Sequence, residues 1–282
     1  MYTKNNYPFE NTDWRKTGME QELNFLSWNT SLYTYGNKLE NGIKKIDYKV
    51  VADSIELIKK YVNEKDGIAI LQEIPYKINT EYIEGMNRKY NKWDEHPIFS
   101  KLKNTFLNDS YDVLYDESYK YRIKQTVIIA KKDKIEKWET VTNNNIYYGF
   151  CIDGLKCLGV HAHNAFELWE WINKNQECPD LIAGDFNSGN YLLSDDKKDS
   201  KLKANRNNYL HLLEGYIDIF QGMDTTNYPE CSEQRQIDHV LIKNTKDIRK
   251  KYSYENIKVD TTIQLSDHFP LYWSLKKKDN HE

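Results

Sequence analysis

No apolar run in the 282 residues approaches the ~20 residues needed to span a bilayer. The N-terminal stretch MYTKNNYPFENTDWRKTGMEQ contains no apolar leader segment. These absences lead us to expect a soluble, cytoplasmic protein with no membrane anchoring. Cysteine is scarce: Cys151, Cys157, Cys178 and Cys231 form no C-x-x-C pair, which excludes a disulfide-dense framework and a zinc knuckle. Excess positive charge is also missing. With a formal net charge of −3, bulk electrostatics does not drive nucleic-acid binding, and a polyanion must be met locally. The chain lacks internal repeats, Pro-rich linkers and long like-charge blocks. We therefore take residues 23–276 as one domain, with an N-terminal extension (1–22) and a short C-terminal tail (277–282). An apolar content of 39% is enough for a substantial core and argues against disorder.

What is present is a series of short apolar runs: LNFLSW (23–28), IAILQ (68–72), TVIIA (126–130), CLGVH (157–161), DLIAG (180–184), IDHVLI (237–242) and PLYWSL (270–275). Their length, branched and aromatic side chains and polar or glycine ends predict strands. Asp153-Gly154 predicts a primed turn closing a hairpin over residues 147–161. Val51, Ile55, Ile58 and Val62 recur on one face of a helix. Phe166, Trp169 and Ile172 mark a second helix, and Leu210, Leu213 and Tyr216 a third. Hairpins mixed with helix-crossed strands predict an α/β fold of two mixed β-sheets packed face to face, with helices outside.

The polar residues at the strand ends carry the chemistry. Asn29 follows LNFLSW, Glu73 follows IAILQ, and His161 and His163 end and follow CLGV. Asp185 and Asn187 follow DLIAG, Asp238 and His239 lie inside QIDHVLI, and Asp267-His268 precede PLYWSL. Each alone has an ordinary reading. Glu73 can be a solvated strand end, Asp185-Phe186-Asn187 an Asx-type turn, and Ser266-Asp267-His268 a cap. His163 reads as a supporting or surface imidazole, and His96, His211 and His281 as surface residues. Asp238 and His239 must face opposite sides of their strand, so a catalytic Asp238 leaves His239 structural. Together the set suits phosphoryl transfer to water. A hard divalent cation, Mg²⁺ or Mn²⁺, prefers the carboxylate and amide oxygens of Glu73, Asp267 and Asn29. Asp185 can align or deprotonate a water, and Asn187 can donate to a phosphate oxygen. Asp238 can fix the tautomer of His268, with His161 a second imidazole on the phosphate.

The ordered series SWN (27–29), LQE (71–73), VH (160–161), GDFN (184–187), IDH (237–239) and SDH (266–268) resembles the endonuclease/exonuclease/phosphatase superfamily over residues 23 to 275. The resemblance implies a four-layer α/β sandwich with the site at one edge of its two sheets. It also implies Glu73 as principal metal ligand beside Asn29 and Asp267, Asp185 and Asn187 at the water and phosphate, and an Asp238–His268 dyad. His161 in GVHAHN resembles pancreatic-type DNases, neutral sphingomyelinases and inositol-phosphate phosphatases rather than the abasic-site branch.

For the substrate, nucleic acid leads. Lys197, Lys198, Lys201, Lys203 and Arg206, interleaved with acidic residues, read either as a solvated loop or as a loop gripping a nucleic-acid backbone. Arg122, just before TVIIA, is a further candidate for substrate contact. The sequence carries no basic amphipathic helix or aromatic hairpin for docking on membranes, which disfavours a sphingolipid substrate. The expectation is a magnesium-dependent nuclease. An inositol- or sphingolipid-directed phosphoesterase and a non-catalytic binding protein are the alternatives.

Overall fold

Period-two alternation in the apolar runs determines which side chains enter the centre of the molecule. The computed structural model describes residues 22–278 apart from 35–36, 41–42, 82–91, 108–109, 119–122, 139–146, 164, 175–177, 190–199 and 228–235. Residues 1–21 of the expected extension and 279–282 of the expected tail therefore lie outside the described residues. In chain order the elements are β1 (Glu22–Asn29), β2 (Asn37–Glu40), β3 (Ile43–Ile46), α1 (Tyr48–Glu64), β4 (Ile68–Pro75), β5 (Lys77–Glu81), β6 (Lys92–Glu95), α2 (Pro97–Phe106), β7 (Tyr111–Leu114) and β8 (Lys124–Lys131). They continue with β9 (Glu136–Lys137), β10 (Tyr147–Ile152), β11 (Leu155–His161), α3 (Ala165–Lys174), β12 (Leu181–Asp185), α4 (Ser200–Leu212), β13 (Tyr216–Asp218), β14 (Asp238–Lys243), α5 (Lys246–Lys251), β15 (Tyr252–Val259) and β16 (Leu271–Lys277).

Two six-stranded sheets result, ordered β15-β16-β1-β4-β8-β7 and β13-β14-β12-β11-β10-β9. Both are mixed: each holds one parallel pair, β1 with β4 and β11 with β12, among antiparallel neighbours. Phe25, Ile70 and Ile128 of the first sheet meet Phe150, Ala183 and Val240 of the second in a central core. The alternate residues Leu26, Trp28, Leu71 and Val127 face outward onto Ile55 and Ile58 of α1 and Phe99 and Leu102 of α2. On the other side Leu158, Val160, Ile182 and Leu241 pack on Leu168 of α3 and Tyr209 of α4. The order helix, sheet, sheet, helix is the expected four-layer α/β sandwich. The hairpin is also present, with both turn residues at positive φ (Asp153 49°, Gly154 78°), the geometry a primed turn requires. Helix α1 starts where the Asp47 carboxylate accepts the amides of Lys49 and Val50, satisfying donors that the helix cannot.

Three expectations need correction. In α3, Phe166 is 45% exposed and the fully buried residue is Leu168, so the inward stripe is displaced from the predicted one. Helix α4 begins ten residues before Leu210, whereas Leu213 lies beyond its end and Tyr216 opens β13. His96 is buried and caps α2 by accepting the Ile98 amide at 3.2 Å, a role outside the surface reading.

Candidate active site

The inward rows change character along their length. From one end to the other they read Phe25-Ser27-Asn29 on β1, Ile68-Ile70-Gln72 on β4, Cys157-Gly159-His161 on β11, Leu181-Ala183-Asp185 on β12 and Ile242-Val240-Asp238 on β14. Each begins apolar and finishes polar. The polar ends meet because β1, β4, β11 and β12 run in pairs to the same edge while β14 starts there. Glu73 is the exception to the parity. It follows the inward Gln72 and would share the outer face of Leu71, but the β4–β8 register slips between Leu71 and Ile74. Glu73 adopts φ 55°, a left-handed conformation that costs about 1 kcal/mol or more for a non-glycine residue. The bulge re-aims its carboxylate toward the site. Gly184, at φ 144°, has room for no side chain: a Cβ there would fall 1.9 Å from the Val160 carbonyl oxygen. That close approach of β12 to β11 sets Asp185 beside His161, its direct partner in the register.

Hydrogen bonds and ion-pair contacts together form one connected cluster. Asn29 Nδ2 donates to Asp185 Oδ2 at 2.9 Å and lies 3.5 Å from His268 Nε2. His161 Nε2 is 3.2 Å from Glu73 Oε1 and 3.7 Å from Asp185 Oδ2. His268 Nε2 is 3.9 Å from the same Asp185 oxygen, while its Nδ1 is bound by Asp238 at 2.9 Å. The dyad is therefore present, with Nε2 left facing Asp185. Asp267 is tied in through Ser31, whose hydroxyl donates to it at 2.7 Å and whose amide donates to Asn29 Oδ1 at 3.0 Å. Asn187, at φ 48°, gives its backbone amide to Asp185 at 2.8 Å and one amide hydrogen to the Ala162 carbonyl at 2.7 Å, leaving the other hydrogen of that amide.

Burial shapes the charges. For Glu73, desolvation favours the neutral acid, but the His161 hydrogen bond and the Lys124 ammonium outweigh it and hold the pKa down to about 2. For His268, burial favours the neutral ring, but the charge and hydrogen bond of Asp238, with Asp185 and Asp267 nearby, raise the pKa to about 10. We place the proton of this pair on the imidazole, because a buried carboxylate facing an imidazolium keeps its charge. Among the described residues the clustered carboxylates Glu73, Asp185, Asp238 and Asp267 then face the cations Lys124 and His268, an excess of negative charge. Hard oxygen donors with surplus negative charge fit a divalent cation. Among the described residues Asp185, Asp238 and His268 also present ligand atoms within 4.8 Å of one another, but Asp238 is committed to His268. The less buried Glu73, with Asn29 and Asp267, is the better oxygen set.

Other expected residues lie elsewhere or unseen. His163 is exposed and joined through its amide to Glu167. Arg122, Lys197 and Lys198 lie outside the described residues. Lys201, Lys203 and Arg206 belong to α4, so the basic stretch from residue 200 is a helix and not the loop of either sequence reading. His239 faces away from the site, as the alternation requires: it is fully buried, its Nδ1 2.7 Å from Asp218 Oδ2 and its Nε2 2.7 Å from the Ser188 carbonyl. Asp218 further accepts from the Tyr209 hydroxyl at 2.6 Å and the Phe220 amide at 3.0 Å. Sequence reasoning missed Lys124, which pairs with Glu73 Oε1. Its place just before TVIIA becomes informative only once β8 is paired antiparallel to β4, with Lys124 opposite Pro75.

No family model and no curated protein matches the sequence. Solved structures do match. The endonuclease domain of TRAS1, a telomere-specific non-LTR retrotransposon, superposes with a TM-score of 0.53 at 12% identity, covering 91% of this chain and 99% of that one. An endonuclease/exonuclease/phosphatase from Bacteroides vulgatus gives 0.53 at 14% identity, covering 92% and 100%. The mannosyl-6-phosphatase Bt3783 of Bacteroides thetaiotaomicron gives 0.50 at 14% identity, covering 90% and 99%. The coincidence of near-complete coverage with the four-layer architecture derived above establishes that this chain has the endonuclease/exonuclease/phosphatase fold.

Proposed function

We propose that the chain is a divalent-metal-dependent phosphodiesterase, with nucleic acid as its substrate and water as the nucleophile. The observation that carries this reading is the buried Asp185 carboxylate set among Asn29, His161 and His268, with Glu73 beside it. Glu73, Asn29 and Asp267 would hold Mg²⁺ or Mn²⁺, which when bound neutralises phosphate charge and stabilises the leaving oxygen. The protein groups divide the remaining work by protonation state. His268, held as a cation by Asp238, is suited to a negative phosphate oxygen and to donating a proton from Nε2. Asp185 is the acceptor that can orient a water and take its proton. His161 and the spare amide hydrogen of Asn187 are placed to donate to phosphate oxygens.

The structures that share the fold include both an endonuclease domain and a sugar phosphatase, so the fold leaves the ester class open. Nucleic acid is favoured by the cations of residues 197–206, which begin eight residues after the Asp185–Gly189 loop in sequence and continue into α4. No helix among the described residues is long and apolar enough to cross a membrane. The deciding assay compares plasmid DNA, single-stranded DNA, RNA, inositol phosphates and sphingomyelin with Mg²⁺, with Mn²⁺ and with chelator. Chelator-sensitive cleavage of a nucleic acid is expected. Full activity in metal-free buffer would sink the metal assignment, turnover confined to a small phosphate ester would remove the nuclease, and inactivity on all would favour a binding protein.

A further inference from the structure

Among the described residues, Lys124 is the cation of the cluster with freedom to move. Its side chain is 31% exposed against 14% for Glu73 and 9% for His161. It stands on the first residue of β8, opposite Pro75 in the register, on a four-carbon stem with several rotatable bonds. Its ammonium and His161 Nε2 both contact Glu73 Oε1. That oxygen belongs to the carboxylate that a strained backbone turns into the site, and to the donor set that suits a divalent cation. A divalent cation held by Glu73 would stand close to that ammonium, and like charges at about 4 Å interact appreciably even at a semi-exposed site. His161 is held by burial and by Asp185, so the lysine is the group that yields.

We propose that Lys124 is an internal counter-ion that a divalent cation displaces from Glu73, and that the released ammonium then serves the substrate phosphate. The proposal rests on the phosphodiesterase reading for its cation and its substrate. Two properties follow. Lys124 opposes metal binding, and in the metal-loaded protein it promotes phosphate binding, because a freed ammonium beside the site offers a positive charge to the second anion that arrives. A lysine whose only task is to brace the end of β8 would produce neither.

The experiment measures Mn²⁺ binding by electron paramagnetic resonance in the full chain and in Lys124→Met, Lys124→Arg and Glu73→Gln, and KM for bis(4-nitrophenyl) phosphate at saturating Mn²⁺. Loss of one like charge should tighten Mn²⁺ binding about tenfold or more in Lys124→Met, while Lys124→Arg keeps the charge and stays near the parent. KM should move the opposite way, rising severalfold in Lys124→Met. Glu73→Gln should weaken Mn²⁺ binding, placing the site on that carboxylate. Equal Mn²⁺ affinity in the parent and Lys124→Met would overturn the counter-ion role while leaving the phosphodiesterase reading intact. Tighter Mn²⁺ with unchanged KM would overturn the phosphate role. Absence of Mn²⁺ binding from every form would instead remove the metal-dependent reading, and this proposal with it. Should Lys124→Met unfold, the charge-retaining Lys124→Arg and the neutral, slightly shorter Lys124→Gln carry the same comparison.

Discussion

Two histidine–aspartate pairs lie on opposite faces of β14, and they differ in what the second ring nitrogen meets. In the pair on the site side, Asp238 holds Nδ1 of His268 and Nε2 faces Asp185 at 3.9 Å. In the pair on the helix side, Asp218 holds Nδ1 of His239 and Nε2 is closed off by the Ser188 carbonyl at 2.7 Å. Carboxylate and carbonyl oxygens only accept, so His239 must donate from both nitrogens and is an imidazolium. It lies between Tyr209 and Phe186, with ring centroids 4.5 and 5.0 Å away. The same two residue types thus form a pair whose second nitrogen faces Asn29 and Asp185 in the candidate site, and a structural tie whose second nitrogen is taken by a backbone carbonyl. Adjacent residues of one strand, Asp238 and His239, divide these tasks because successive side chains point to opposite faces.

The largest expected effect breaks the comparison on the catalytic side. His268→Ala should lower kcat by about 10²–10⁴-fold per folded molecule, the usual contribution of a proton-transfer group, whereas His239→Ala should keep activity within about tenfold in the molecules that fold. Equal losses in steady-state assays on folded protein would erase the distinction. Next, Asp238→Asn combined with His268→Ala should be scarcely worse than His268→Ala alone, because the aspartate acts through the ring. Losses that multiply would mean that Asp238 works independently, for instance on metal. His239→Ala should instead destabilise the fold by about 3–5 kcal/mol in urea denaturation, since it strands the buried Asp218 charge.

A smaller effect appears in pH dependence. For His239, burial favours the neutral ring, but the charge and hydrogen bond of Asp218, with the Ser188 carbonyl and Asp238, raise its pKa above the ordinary value. A raised folded pKa contributes stability that is complete below the unfolded value of about 6.5 and is lost as pH rises through the folded pKa. Urea midpoints should therefore fall on the alkaline side more steeply in the parent than in His239→Ala, and parallel profiles would refute the imidazolium. The smallest effect concerns salt. Neutralising Lys197, Lys198, Lys201, Lys203 and Arg206 should reduce the log–log salt slope of DNA binding by about one per lost phosphate contact. An unchanged slope would return those residues to solvent and point to a small substrate.

Much of this was readable because it depends on local periodicity. All seven apolar runs are strands, and the rule that neighbours alternate faces places His239 away from the site from sequence alone. Strand β15 escaped notice because YSYENIKV is an edge strand with a register slip between Glu255 and Lys258, and its largely exposed residues carry little apolar signal. The site's residue types were readable as strand ends, but Glu73 was not readable as a bulge, since a left-handed glutamate has no sequence signature. Lys124 and Asp218 carry no sequence signal, and for one reason. Their meaning comes from partners 51 and 21 residues away, and non-local pairing leaves no trace in a window of sequence.

The tie formed by His239 has a consequence in time as well as in space. The segment Asp185–Gly189 has no regular structure beyond its first residue, yet Ser188 is buried and its carbonyl is bound to a ring locked beneath it. The Phe186 amide donates to the Ile237 carbonyl at 2.9 Å and the Asn187 amide to Asp185. Loops ordinarily exchange their amide hydrogens quickly because they open without disturbing the rest of the fold. These amides should exchange only as slowly as the central strands do, opening together with β12 and β14, and so a loop by shape is a part of the sheet by its lifetime.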